Sequence, residues 1–380
     1  MAKCTVDVLL PVFNGASTIA QAIQSLQHQT VTGIRIVVID DGSTDQTPQI
    51  LASIAEQDSR IEVITKSNDG IVDALNAGLA RCQGEFVARQ DADDISHPSR
   101  FSLQIAHLQS DPECVAVSGA FTHIDEQGRA SDVVYSFPQP ELADPRWAPS
   151  REPYLMHPFL MARRKDLQAV GGYRYVYHSE DVDLYWRLLE RGKLHNLNAV
   201  LGSYRMHAKS ISSESTLNGR ISALSSQLAG LSARRRRESR TDIDFPKEAI
   251  SEYRRAQTLS KIYEIAVRQL DDDESRYLRI AVAAKLLELA SYRPYQLDLD
   301  DCRFARDARH ERKILSAPNQ RQLGRLYAAT TARLVRKRLF REAIELAPPS
   351  LYMPAAGRLV IRGMLPNAVL EYIRRLRALR

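Results

Sequence analysis

Four residues, Asp91-Ala92-Asp93-Asp94, stand directly after the apolar run that ends at Arg89. Asp91 and Asp93, one residue apart, can share a hard divalent cation, which in turn takes oxygens from a diphosphate. Asp94 is a close neighbour able to substitute, and the same acids would also serve as a turn capping the helix that Pro98 opens. A second acidic stretch, Asp40-Asp41-Gly42-Ser43-Thr44-Asp45, ends another apolar run. Its side chains can accept hydrogen bonds from a base or ribose, while Gly42 permits a tight turn with close backbone approach. A strand-to-helix turn with ordinary capping explains this stretch as well. Glu180 and Asp181 open a helical pattern, where acids suit the positive end of the helix dipole.

The elements that must position these acids alternate between two periodicities. Short β-branched runs, Val6 to Pro11, Ile34 to Ile39, Ile61 to Thr65, Glu85 to Arg89 and Val115 to Ser118, are predicted strands. Helical patterns lie between them. One is capped by Ser17 and runs to about His28, one is capped by Thr44 or Asp45, one spans Gly70 to Arg81, and one opens at Pro98 with Phe101, Ile105 and Leu108 at core spacing. Such alternation predicts a mostly parallel sheet covered by helices, with the acids at the carboxyl edge where open α/β sheets bind ligands. Between 121 and 153 five prolines accumulate, which reads as irregular connection. Order returns with Tyr154 to Ala162, a Gly171-Gly172 turn, a helix from Glu180 to Arg191 and a strand near Val200 to Arg205. A Ser-rich stretch then leads to Arg234-Arg235-Arg236-Arg237. Helical patterns follow, among them Ser275 to Tyr292 behind Asp271-Asp272-Asp273-Glu274.

In their joint order these segments resemble the family 2 glycosyltransferases of the GT-A fold. The resemblance runs from about Val6 to Ser212 through Leu10-Pro11-Val12-Phe13-Asn14-Gly15, Asp40 to Asp45, Asn76-Ala77-Gly78-Leu79, Gly84-Glu85-Phe86-Val87, Asp91 to Asp94 with His97-Pro98, Val170-Gly171-Gly172-Tyr173, Glu180-Asp181 and Tyr204-Arg205-Met206-His207. It implies an α/β, Rossmann-like catalytic domain over 1–212, while the change of composition beyond it sets off a Ser/Arg-rich linker over 213–246 and a smaller, basic helical region over 247–380. It implies an inverting enzyme that moves a single sugar from a nucleotide diphosphate sugar, UDP-linked by the family's habit, to a hydroxyl of a saccharide or lipid-linked saccharide.

Carried over position by position, Pro11, Val12 and Phe13 wall the nucleobase, Asp41 hydrogen-bonds it, and Asp40 supports the loop or the ribose. Asn68 and Asp73 lie where the family touches base or sugar. Asp91 and Asp93 form the DxD pair for Mg or Mn, with His207 returning towards the metal. Asp181 matches the catalytic base, and His157 and Glu180 stand on the acceptor side. A base is needed because a sugar hydroxyl is a poor nucleophile until its proton is accepted. Leu75 departs from the pattern, since many relatives carry arginine there. No Gln-x-x-Arg-Trp motif is present, which favours single-sugar addition over processive synthesis.

Composition bounds the remaining readings. The chain has 380 residues, 44% hydrophobic and 26% charged, which excludes disordered and fibrous classes. Its net charge of +6 is unevenly spread, because 321–380 hold 13 Lys and Arg against Glu342, Glu345 and Glu371. Arg333, Arg336, Lys337, Arg338 and Arg341 interleave with apolar residues, and the last residues repeat the theme. That pattern suits an anionic membrane surface or an amphipathic helix packed on its own domain; no nucleic-acid reader motif accompanies it. Cys4, Cys82, Cys114 and Cys302 show no metal or disulfide spacing, so reduced thiols and a cytoplasmic setting, peripheral to the membrane's inner face, are expected. Two other classes bear weighing. One is a non-catalytic nucleotide-sugar-binding scaffold, which retention of Asp93 and Asp181 argues against. The other is a nucleotidyltransferase, whose glycine-rich phosphate loop is missing from Pro11 to Thr18.

Overall fold

In the computed structural model, which describes residues 5–206 and 215–347, the first half of the chain builds one mixed nine-stranded sheet. Its parallel part follows the β-branched runs: β1 (Val6–Val12) lies between β2 (Ile34–Asp40) and β4 (Phe86–Arg89), with β3 (Ile61–Thr65) outside β2. The remaining strands are β5 (Ile95–Ser96), β6 (Cys114–Ile124), β7 (Ala130–Tyr135), β8 (Met161–Arg163) and β9 (Lys193–Arg205). They complete the order β3-β2-β1-β4-β8-β6-β9-β5, with β7 paired to β6. Strand β8 runs antiparallel to both β4 and β6, β6 and β9 are again parallel, and the marginal strands β5 and β7 run antiparallel to β9 and β6.

Each face of this sheet is covered because successive side chains along a strand point to opposite sides. Val8 and Leu10 of β1 face α1 (Ile19–Gln27), α2 (Thr47–Gln57) and α4 (Arg100–Ser110) through Ile23, Leu26, Leu51 and Phe101. Leu9, between them, joins Val37 and Ile39 under α3 (Ile71–Arg81) and α6 (Glu180–Leu189), whose Leu75, Leu79, Leu184 and Leu188 fill the opposite core. Helix α5 (Arg164–Ala169) follows β8 directly. Gly78 sets how closely α3 approaches, since a Cβ there would collide with Leu9 and Ile39.

Two stretches differ most from the sequence expectation. Residues 121–135, expected to be irregular, extend β6 to Ile124 and turn back as β7. Their side chains alternate less clearly because β7 is largely exposed and sits on the sheet's margin. Part of the stretch expected as a linker forms α7 (Thr216–Arg237), a 22-residue helix. Ile221, Leu224, Leu228 and Leu231 recur at helical spacing, and buried Ser225, Ser226, Gly230 and Ser232 give neighbours close approach. Being buried on most sides, α7 carries no single apolar stripe.

Around α7 fold α8 (Ala249–Ala256), α9 (Leu259–Ala266), α10 (Asp272–Tyr292), α11 (Leu299–Ala308), α12 (Ala317–Arg336) and α13 (Phe340–Leu346), which share one core. The acids expected to favour the start of α10 do so: Asp271 and Glu274 form a reciprocal capping box. This helical region docks on α6 and the loop before β8. Trp186 and Val182 bury against Ala229 and Ala233. Across the same seam Lys285 Nζ pairs with Glu152 at 3.0 Å, and Tyr277 donates its hydroxyl proton to the carbonyl oxygens of Pro145 and Trp147 at 2.7 and 2.6 Å.

Candidate active site

The carboxyl ends of β1, β2 and β4 open side by side, and their loops are bonded to one another. Asn14 N donates to Ser43 Oγ at 2.8 Å, Thr44 N donates to Asn14 Oδ1 at 2.8 Å, and Ala16 N donates to Asp45 Oδ2 at 3.1 Å. Gly15 approaches Ala92 of the Asp91–Asp94 loop. Pro11 and Val12 are buried at the end of β1, while Phe13 beyond them is 49% exposed. An apolar ring thus stands open beside an edge of acids.

The acids behind that edge are not all free. Asp41 is buried and holds the 66–70 loop: it accepts from Lys66 Nζ at 2.8 Å, Asp69 N at 3.2 Å and Gly70 N at 2.9 Å. Gly42, at φ +79°, brings its backbone against the same loop, where an added Cβ would sit 2.9 Å from Asn68 N. Asn68 itself is exposed. Asp40 accepts from Ser43 N at 2.9 Å and leaves its second oxygen buried without a hydrogen bond. Asp73 accepts from the Tyr175 hydroxyl at 2.8 Å and pairs with Lys247 at 2.9 Å, so the helical region reaches this margin.

Asp91, Asp93 and Asp94 bring one carboxylate oxygen each within 4.8 Å of one another. Asp94 is buried; Oδ1 accepts from Arg205 N at 2.8 Å and, among the described residues, Oδ2 has no hydrogen bond. Burial first, then the charges of Asp91 and Asp93, push its carboxyl well above the usual range. Burial likewise raises Asp91, against the lowering pull of Arg89. Crowded acids with an orphaned buried oxygen fit a hard divalent cation, which would relieve both burial and repulsion. Arg205 ties β9 to this loop again through Nε, which donates to Asp93 O at 2.8 Å. His207, two residues on, lies outside the described residues.

Arg89, at the last position of β4, was not singled out by the sequence reading. A single arginine ending a strand carries no motif, although its place two residues before Asp91 is a usable signal. It is buried, forms an ion pair with Asp91, and keeps Nε without a hydrogen bond. Its charge is also felt by His157, Tyr173, Glu180, Asp181 and Tyr185, and therefore links the two acid groups. Beneath it Arg100 is fully buried, donating to Gln104, Gln90, Ser96 and the carbonyl oxygens of Arg89 and Leu160. Among the described residues no carboxylate bonds it, and burial lowers its guanidinium to about 9.

Glu180 and Asp181 begin α6 on the far wall of the same cleft. Both are half-buried. Burial raises Asp181 to about 6, opposed by a hydrogen bond from Val182 N at 2.7 Å and reinforced by the charge of Glu152. Glu180 is raised to about 8, by burial and then by Asp181. His157 meets the Tyr173 hydroxyl at 2.9 Å, and burial, then the charge of Arg89, push its imidazole well below the usual histidine range. The structure thus brings Asp91, Asp93, Asp94, Glu180, Asp181 and His157 together around Arg89. Asp40, Asp41, Asn68, Asp73 and residues 11–13 line the adjoining edge.

The mixed α/β sheet with flanking helices is the fold of the GT-A glycosyltransferases. S. aureus TarS superposes with a TM-score of 0.50 at 15% identity, covering 90% of this chain and 55% of that one, a likeness of fold. Residues 7–171 match glycosyl transferase family 2. The amylovoran biosynthesis glycosyltransferase AmsE of Erwinia amylovora is 30% identical over 203 residues, 52% of this chain and 75% of AmsE. EpsE of Bacillus subtilis (strain 168) is 31% identical over 207 residues, 53% of this chain and 72% of EpsE. The chain belongs to glycosyl transferase family 2 and is a glycosyltransferase.

Proposed function

We propose that this glycosyltransferase moves one sugar, with inversion, from a nucleotide diphosphate sugar to a hydroxyl of a saccharide or lipid-linked saccharide. The observation that carries the reading is the pairing, across Arg89, of the Asp91-Asp93-Asp94 cluster with the raised carboxyl of Asp181. Phe13, with Pro11 and Val12 behind it, would flank the base, and Asp40, Asp41, Asn68 and Asp73 would shape its pocket and that of the ribose. A UDP-sugar is favoured. Residues 1–212 would carry the chemistry, with the helices α7 to α13 packed against them as support.

Asp91 and Asp93 would hold Mg or Mn, with Asp94 beside them and His207 as a further ligand. Bound there, the metal would supply Lewis-acid stabilisation of the leaving diphosphate. Asp181, accessible and raised towards neutrality, would accept the acceptor hydroxyl's proton as that oxygen attacks the anomeric carbon from the face opposite the diphosphate. Glu180, protonated at neutral pH by its raised value, would spare Asp181 a second negative neighbour. His157, fixed by Tyr173, would orient the acceptor.

AmsE, by name an amylovoran biosynthesis glycosyltransferase, and E. coli chondroitin synthase, 26% identical over 212 residues and 30% covered, support a role in surface polysaccharide or glycoconjugate assembly. Among the described residues no helix is long and apolar enough to cross a membrane. A cytoplasmic enzyme held at an anionic inner membrane face by its basic C-terminal region agrees with the charge pattern. Most of that basic tail lies outside the described residues.

Replacing Asp181 by Asn should lower transfer about 10²- to 10⁴-fold while leaving nucleotide-sugar binding within a few fold. A panel of nucleotide sugars, assayed for release of nucleoside diphosphate with Mn and with excess chelator, tests both assignments. Full turnover in the variant would remove the base, and undiminished turnover in chelator would remove the metal.

A further inference from the structure

Away from the active site, the turn between α11 and α12 and the first two turns of α12 border an open cleft of about 320 Å³ lined by Arg309, Arg312, Ala317, Gln320, Arg321, Leu323 and Gly324. Three arginines therefore line one open concavity. Their neighbours on α11 are neutralised: Arg303 pairs with Asp300, and Arg306 pairs with Asp307 and Glu345. Among the described residues no carboxylate bonds Arg309, Arg312 or Arg321, although Glu311 stands in the same turn.

Arg309 is half-buried, its guanidinium 5.9 Å from the centroid of the fully buried Tyr327 ring, which fixes its direction. Burial and the like charge of Arg312 both disfavour its cationic form. Unpaired like charges held together in a concavity are costly unless something anionic joins them. The opening of α12 adds to the field, because its first turn carries no acid and Ser316 makes no side-chain cap. Gly324 keeps the floor open, for a Cβ at that position would meet nothing within 4 Å.

We infer that this cleft binds a phosphate group, with Arg309, Arg312 and Arg321 as its donors. The group can come from a soluble phosphate or from a lipid headgroup. Ile314, 47% exposed two residues past Arg312, suits the second source by offering an apolar foot beside the charges.

Two variants of the full chain test the inference without disturbing the half-buried Arg309. Arg312→Gln/Arg321→Gln removes charge. Gly324→Leu fills the cleft with charge unchanged, and leucine suits a helix interior better than glycine. Sodium pyrophosphate is titrated by calorimetry in excess chelator, so that the acids of the active site repel rather than bind it. Sedimentation with phosphatidylcholine vesicles, with and without phosphatidic acid, reads the lipid source. Unchanged melting curves establish that both variants fold. Binding in either assay that weakens about tenfold or more in both variants supports the inference, and the assay that responds names the source. Wild-type binding retained by Gly324→Leu, or no binding by the wild type to either probe, overturns it.

Discussion

Arg89 is the residue on which the electrostatics of the cleft turn, since its cation pulls down Asp91 on one side and Glu180 and Asp181 on the other. Asp181 already sits near 6 because burial outweighs that pull. Removing the cation with Arg89→Gln should therefore raise Asp181 further. A base works deprotonated, so the acidic limb of the pH–rate profile should move to higher pH, and turnover at pH 6 should fall several-fold more than at pH 8. A limb that stays in place while overall turnover falls would show that Arg89 acts on something other than this proton. At this scale the sequence is half legible. Asp40 and Asp91 follow apolar runs, and parallel strands put such residues on one edge. That Asp41 and Asp73 are engaged by Lys66 and Lys247 depends on contacts across 25 residues and more, which no local pattern encodes. Arg89 was missed for a related reason: its importance lies in what surrounds it.

At the scale of elements, close approach of α3 to the sheet decides whether the cleft's floor is held. Gly78 faces Leu9 and Ile39, both fully buried, with no room for a side chain. Gly78→Val should cost about 1–3 kcal/mol through overpacking, visible as a lower denaturation midpoint at unchanged slope. A midpoint equal to the wild type would mean that α3 can slide outwards freely. The strands β1 to β4 were legible because runs such as Val6 to Pro11 are bounded and β-branched. Two elements were not. The strand β7 pairs only with β6 and leaves Val134 56% exposed, so no buried face imposes an alternating pattern on it. Helix α7 is buried on several sides, which erases the contrast between apolar and polar faces, and its serines read as a linker. The repeat of Ile221, Leu224, Leu228 and Leu231 was the available signal.

For the whole molecule, the sheet and the helices share buried surface, and the boundary between them is a seam of packing rather than a tether. A fragment ending at residue 212 would lose α7 and with it the cover over Trp186 and Val182. That fragment should be aggregation-prone or melt well below the full chain, as read by size-exclusion chromatography and thermal denaturation. A monodisperse fragment with the full chain's melting temperature would contradict the shared core. Sequence separated the two halves by composition, yet it could not reveal that they interlock, because Glu152 and Lys285 lie 133 positions apart. Their pairing also governs transplantation. A chimaera that took its donor half from this chain and its helices from a relative would strand a desolvated carboxylate opposite a foreign surface. Such hybrids should fold only when positions 152 and 285 travel together, or are both exchanged for apolar residues of similar volume.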